Sequence, residues 1–180
     1  MVSVEPNAEA ILREWFKEPE RWWKKDPDFD AYLATRWADA LSQAKKSELD
    51  SWTNSARGAL ALVILLDQFG RNIHRDTPDM YAGDAKALAI ADQAIARGYE
   101  DSLSPTERSF LYMPFMHSED LGDQERSVQL FTALGMNVYF AVQHRDIVAR
   151  FGRFPHRNTI LGRESLPEEI EFLKQPGSSF

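Results

Sequence analysis

All four histidines of this sequence stand in polar company, in Asn72-Ile73-His74-Arg75, His117-Ser118-Glu119-Asp120, Gln143-His144-Arg145-Asp146 and Pro155-His156-Arg157-Asn158. Imidazole and carboxylate are the usual general acids and bases near neutral pH, which makes His117, Glu119 and His156 candidates for proton transfer. Between His144 and Arg163 the chain carries five arginines, a single acid and no lysine. A planar guanidinium fork holds a carboxylate or phosphate through two parallel hydrogen bonds, whereas a solvated surface charge could as well be lysine. These arginines therefore read either as ligands for an oxyanion or as partners of Asp67, Glu119 or Asp120 in ion pairs that fasten helices together.

Asp67 is the sharpest single residue. It follows an apolar run, Ala59 to Leu66, on a segment expected to be buried, where an unpartnered carboxylate would be too costly. Arg71, four residues on, is in the favourable acid-before-base order for a helical pair, and Asn72 could cap the turn that follows. The histidine and acid residues lack the His-Glu-x-x-His spacing that sets two imidazoles on one helical face around zinc, so no metal site is expected. Neither a phosphate-cradling glycine loop nor a nucleophile elbow is present, and no cofactor is indicated.

Helices must position these groups. Asn7 caps a segment that runs to Phe16, and Asp26-Pro27 opens a second helix with Phe29, Leu33, Trp37, Ala40, Leu41 and Ala44 on one stripe. A third is expected from Ser55 to Phe69, followed by a loop from Asn72 to Pro78. The alanine-rich stretch from Asp84 to Arg97 closes at Gly98, and Ser104-Pro105-Thr106-Glu107 is a capping box that opens a helix which Pro114 should kink or end. Further helices are expected over 120–134 and 137–151, with His144 pointing inward. Ser165-Leu166-Pro167-Glu168 reads as a second capping box, starting a helix to about Lys174, and residues 176–180 read as a mobile tail. Of the tryptophans, Trp15 and Trp37 belong to the core. Trp22 and Trp23 are adjacent and cannot both face inward, so one is expected at the surface.

Nothing alternates with period two for long enough to demand a sheet, and the short connections favour antiparallel neighbours. The class is all-α, a compact bundle of antiparallel helical hairpins in one domain over 1–180. A formal charge of −7 opposes unspecific attraction to nucleic acid or an anionic membrane. The apolar run is far short of the ~20 residues needed to cross a bilayer as a helix. The first residues lack the pattern of a secretory signal, and the chain has no cysteine, so a cytoplasmic location is expected.

Three runs then carry a resemblance: Leu60-Ala61-Leu62-Val63-Ile64-Leu65-Leu66-Asp67-Gln68-Phe69-Gly70-Arg71-Asn72, Leu111-Tyr112-Met113-Pro114-Phe115-Met116-His117-Ser118-Glu119-Asp120, and Phe151-Gly152-Arg153-Phe154-Pro155-His156-Arg157-Asn158-Thr159-Ile160-Leu161-Gly162-Arg163. In that order, with the early Trp15-Phe16 and the closing Glu168 to Leu173, they resemble a mainly bacterial family known as domain of unknown function 924, over nearly the whole chain. Gly70 departs from the family pattern, which has proline there. The resemblance implies a tetratricopeptide-like bundle of helical hairpins with no established activity. It also implies that Asp67, Arg71, Asn72, His117, Glu119, Asp120, Arg153, His156, Arg157, Asn158 and Arg163 surround one polar pocket; inward-pointing His144 is a further candidate for ligand binding.

Two functions compete on this basis. In one, the pocket binds a small anionic metabolite, with arginines orienting it and His117, Glu119 or His156 transferring a proton in hydrolase-type chemistry. In the other, the polar motifs only lock helices, and the bundle serves as a scaffold for a protein or peptide partner.

Overall fold

The computed structural model describes residues 7–180, among which the regular structure is helical. In chain order the helices are α1 (Ala8–Phe16), α2 (Pro27–Lys45), α3 (Ala56–Val63), α4 (Gly70–Ile73), α5 (Asp84–Ala96), α6 (Pro105–His117), α7 (Leu121–Leu134), α8 (Val138–Phe151) and α9 (Pro167–Leu173). Side-chain oxygens start many of them. Asn7, Asp26, Ser55, Ser104 and Asp120 each accept the amide N–H three residues on, satisfying a donor that the first turn leaves free. Gly135 and Gly152 stop α7 and α8 in the left-handed region, at φ of 71° and 67°, where a side chain would be strained.

One rod runs through the middle. Between α3 and α4 the chain makes a π-helical turn, Ile64–Phe69, with helical dihedrals at both joints, so the helix continues to Ile73 where a loop was expected from Asn72. The sequence gives no breaker there: Gly70 at φ −54° simply continues the helix, and its N–H donates to the Leu65 carbonyl. Leu60 to Leu66 are fully enclosed, because α1, α2, α5 and α6 all pack against this rod. Helices α6, α7 and α8 pack in succession, α6 on α7 and α7 on α8. A smaller apolar group of Ile147, Val148 and Phe154, with Phe151 and Phe172 against it, ties α8 to the closing segments.

Several local expectations shift. Helix α6 runs through Pro114 to His117 rather than ending there. The cap of α9 is displaced by one residue: Pro167 takes the first helical position, and the reciprocal acid is Glu169, which accepts the Leu166 N–H at 2.8 Å, not Glu168. Ser165 instead accepts from Asn158 at 3.1 Å. Trp22 packs inward and donates its indole N–H to the Trp15 carbonyl, leaving Trp23 68% exposed. At the end of the chain Ser178 is buried and its hydroxyl donates to the Leu173 carbonyl, while Pro176, Gly177, Ser179 and Phe180 are exposed.

Candidate functional site

The π turn delivers Asp67 into the core with no exposed surface, facing the end of α6. Asp67 Oδ1 lies 2.7 Å from His117 Nδ1 and 3.0 Å from an Arg71 nitrogen, and Oδ2 accepts from Gln68 at 2.5 Å. Burial opposes its charge, but Arg71, His117 and Gln68 more than offset that, holding the carboxyl far below the usual range. An ionised carboxylate can only accept, so the proton of this contact sits on His117 Nδ1. The other ring nitrogen, Nε2, has no hydrogen-bond partner among the described residues. A buried carboxylate that fixes an imidazole tautomer is the arrangement by which enzymes prepare a histidine base.

Arg71 also grips Asp84 through two bonds of 3.0 Å, bringing the first residue of α5 into the cluster. Burial and the nearby Asp67 charge push the Asp84 carboxyl up, and Arg71 pulls against them. Arg157 enters from the segment after α8. Its guanidinium lies between the Tyr81 and Phe154 rings, 4.5 and 4.6 Å from their centroids, and donates to the His117 carbonyl at 2.9 Å. Only 7% of Arg157 is exposed, yet its closest acid, Asp84, is 3.6 Å away and its Nε has no partner. Burial and the neighbouring Arg71 therefore lower its affinity for its proton. Arg157 is an under-compensated buried cation beside an oriented imidazole.

Two more imidazoles adjoin. The His144 ring is 6.3 Å from that of His117, and its Nδ1 is 2.8 Å from the Phe140 carbonyl one turn back. Burial lowers its pKa to about 3, and burial together with Arg157 lowers that of His156 to about 4, so both rings are neutral at pH 7. His156 Nδ1 is buried without a partner.

Not every residue expected here arrives. Asp67, Arg71, His117, His144, His156 and Arg157 gather. Glu119 and Arg163 lie at the edge, locked together: Arg163 donates to both Glu119 oxygens at 2.7 and 2.9 Å, and the Phe154 N–H donates to Glu119 at 2.7 Å. These donors keep Glu119 ionised and its pKa low, which suits a structural anchor rather than a proton donor. Asn158 accepts from Arg163 and donates towards buried Glu169, whose carboxylate Arg153 holds at 2.7 and 2.8 Å. Asp120 caps α7, and Asn72 donates to Asp30 beside Arg75. Asn72 thus lines a different, shallow cleft of about 340 Å³ with Lys25, Asp30 and Arg75. Among the described residues no group of three histidine or acidic side chains could hold a metal ion.

Asp84, Tyr81 and Glu169 escaped the sequence reading. An acid at the start of a helix is accounted for by the helix dipole alone, and nothing local marks Tyr81 as a partner for an arginine 76 positions later.

Comparison with known proteins bears on the same residues. The model of a family described as bacterial proteins of unknown function (DUF924) matches residues 11–177. A solved structure of a protein of unknown function from Agrobacterium tumefaciens is 47% identical, covers 93% of this chain and 96% of that one, and superposes with a TM-score of 0.90. No curated protein matches.

Proposed function

This chain belongs to the bacterial DUF924 family, and we propose that it binds a small anionic metabolite in the cytoplasm and acts on it by proton transfer at His117. The contact between fully buried Asp67 and His117 Nδ1, at 2.7 Å, carries the reading, because it leaves Nε2 as a base of fixed orientation. Arg157, with its unpartnered Nε and distant counter-ion, supplies the positive charge that an anion would complete.

The neighbouring Ser118 hydroxyl donates to Asp123 at 2.6 Å and is no candidate nucleophile. Water is the nucleophile in this proposal. Nε2 would take a proton from water as its oxygen bonds to the electrophilic carbon or phosphorus of the substrate, and would return that proton to the leaving group. Asp67 balances the imidazolium in between, with Arg71 keeping Asp67 ionised.

The scaffold reading rests on a separate observation: Arg163–Glu119 and Arg153–Glu169 are mutually satisfied pairs joining distant segments. A thermal-shift screen decides between the two readings, using phosphate, acetate, citrate and phenyl phosphate on the native protein, Arg157→Ala and His117→Gln. A shift with any of these anions that Arg157→Ala abolishes while remaining folded supports the site. If no anion shifts the native protein and both variants merely melt earlier, the motifs are locks.

A further inference from the structure

Two of the three imidazoles, His144 and His156, are partly covered by the chain itself. The Phe180 ring stacks on His144 at 3.7 Å between centroids and 24° between planes, and meets His156 edge-on at 5.7 Å and Phe154 at 6.4 Å. The placement does not bury this ring well. Phe180 remains 52% exposed, while the surface it covers belongs to His144, which is only 5% exposed. The ring adjoins His156, whose Nδ1 is buried without a partner, and Arg157, next in sequence, has an unpartnered Nε. A closing segment that served stability alone would seat its aromatic ring in the core, as Phe154 and Phe131 are seated, rather than leave it half exposed on a buried imidazole.

The His144 face is built for a flat group. Helix α8 holds its position and the Phe140 carbonyl fixes its rotation, and the Phe154 ring forms one side wall. Stacking on such a face favours planar, polarizable rings over aliphatic groups of equal volume.

We infer that the ligand of this site carries a planar aromatic ring, which stacks on His144 in the place Phe180 occupies, so that Phe180 is an internal stand-in displaced on binding. The inference rests on the proposed anion site and narrows its substrate class to aromatic or heteroaromatic acids. The ring would be held by His144, His156 and Phe154, next to His117.

The test uses Phe180→Ala and Phe180→Leu in the full chain, with benzoate, benzamide, cyclohexanecarboxylate and inorganic phosphate as probes. Binding is followed by calorimetry and by the NMR signals of the His144 ring, which a stacked arene shifts upfield. Removing the stand-in should tighten benzoate binding at least tenfold in Phe180→Ala and restore the upfield shift that the variant loses. Cyclohexanecarboxylate, with equal charge but no flat face, should not gain. Equal gains for benzoate and benzamide would keep the ring slot and overturn the anion reading. Binding of phosphate and cyclohexanecarboxylate without any preference for benzoate would keep the anion site and overturn the ring slot. Failure of every probe to move the His144 signals in either variant also overturns the slot; both variants should fold, since Phe180 is half exposed.

Discussion

Acidification from pH 7.5 to 5.0 should cost this protein much of its stability, through His144 and His156. Both are held neutral by burial, with pKa values of about 3 and about 4 in the folded state, against about 6.5 in the unfolded chain. Below pH 6.5 the unfolded chain takes up two protons that the folded chain refuses. Their contribution is complete above pH 6.5 and is lost progressively as the pH falls towards the folded values. At pH 5.0 each group lies about 1.5 pH units below its unfolded midpoint, a loss of about 2 kcal/mol apiece and about 4 kcal/mol together, at ~1.4 kcal/mol per unit. That is a large part of the 5–15 kcal/mol typical of a domain. His74, also shifted down by burial, adds to the loss, while Asp84, shifted up, returns some stability as it protonates. Asp67, Glu119 and Glu169 have lowered values, so their contributions persist until the pH falls below the ordinary carboxylate range, outside this window. Urea unfolding at half-unit steps from pH 7.5 to 5.0 measures the slope, and His156→Gln should remove about one proton from it. A stability that changes by under about 1 kcal/mol across the window, or a slope unchanged in His156→Gln, would refute the assignment of two buried neutral imidazoles.

Other substitutions probe the frame and the site. Asp67→Asn removes the charge shared by Arg71 and His117 and should cost about 3 kcal/mol in urea unfolding, because it leaves a buried guanidinium short of one counter-ion. The two glycines of the central rod should respond with opposite sign. A Cβ at Gly70 meets only the Met80 carbonyl at 3.8 Å, so Gly70→Ala should stabilise by about 0.5–1 kcal/mol. A Cβ at Gly58 would lie 2.1 Å from the Trp52 carbonyl, so Gly58→Ala should lower the melting temperature by forcing that backbone apart. Ser104→Ala removes half of the capping box of α6 and should cost about 1 kcal/mol, read by the same unfolding assay.

What the sequence determined by itself was local. Asn7, Asp26 and Ser104 could be read as caps because a cap and the amide it satisfies lie three residues apart, and the apolar stripe of α2 could be read because helical neighbours recur within one turn. The same locality marked Asp67 with Arg71, a pair four residues apart. The one-residue error at α9 shows where that reach ends, since Ser165-Glu168 and Leu166-Glu169 offer the same spacing. Burial of Glu169 against Arg153 and Asn158 decided between them. Tertiary structure alone decided which polar groups meet. Asp67 finds His117 fifty positions away and Glu119 finds Arg163 forty-four away, while Asn72 turns to Asp30 instead. The π turn, the docking of Arg157 between Tyr81 and Phe154, and the placement of Phe180 on His144 likewise follow from how helices pack. A charge in a low-dielectric interior takes whichever partner the fold brings within reach, and no short-range pattern encodes that encounter.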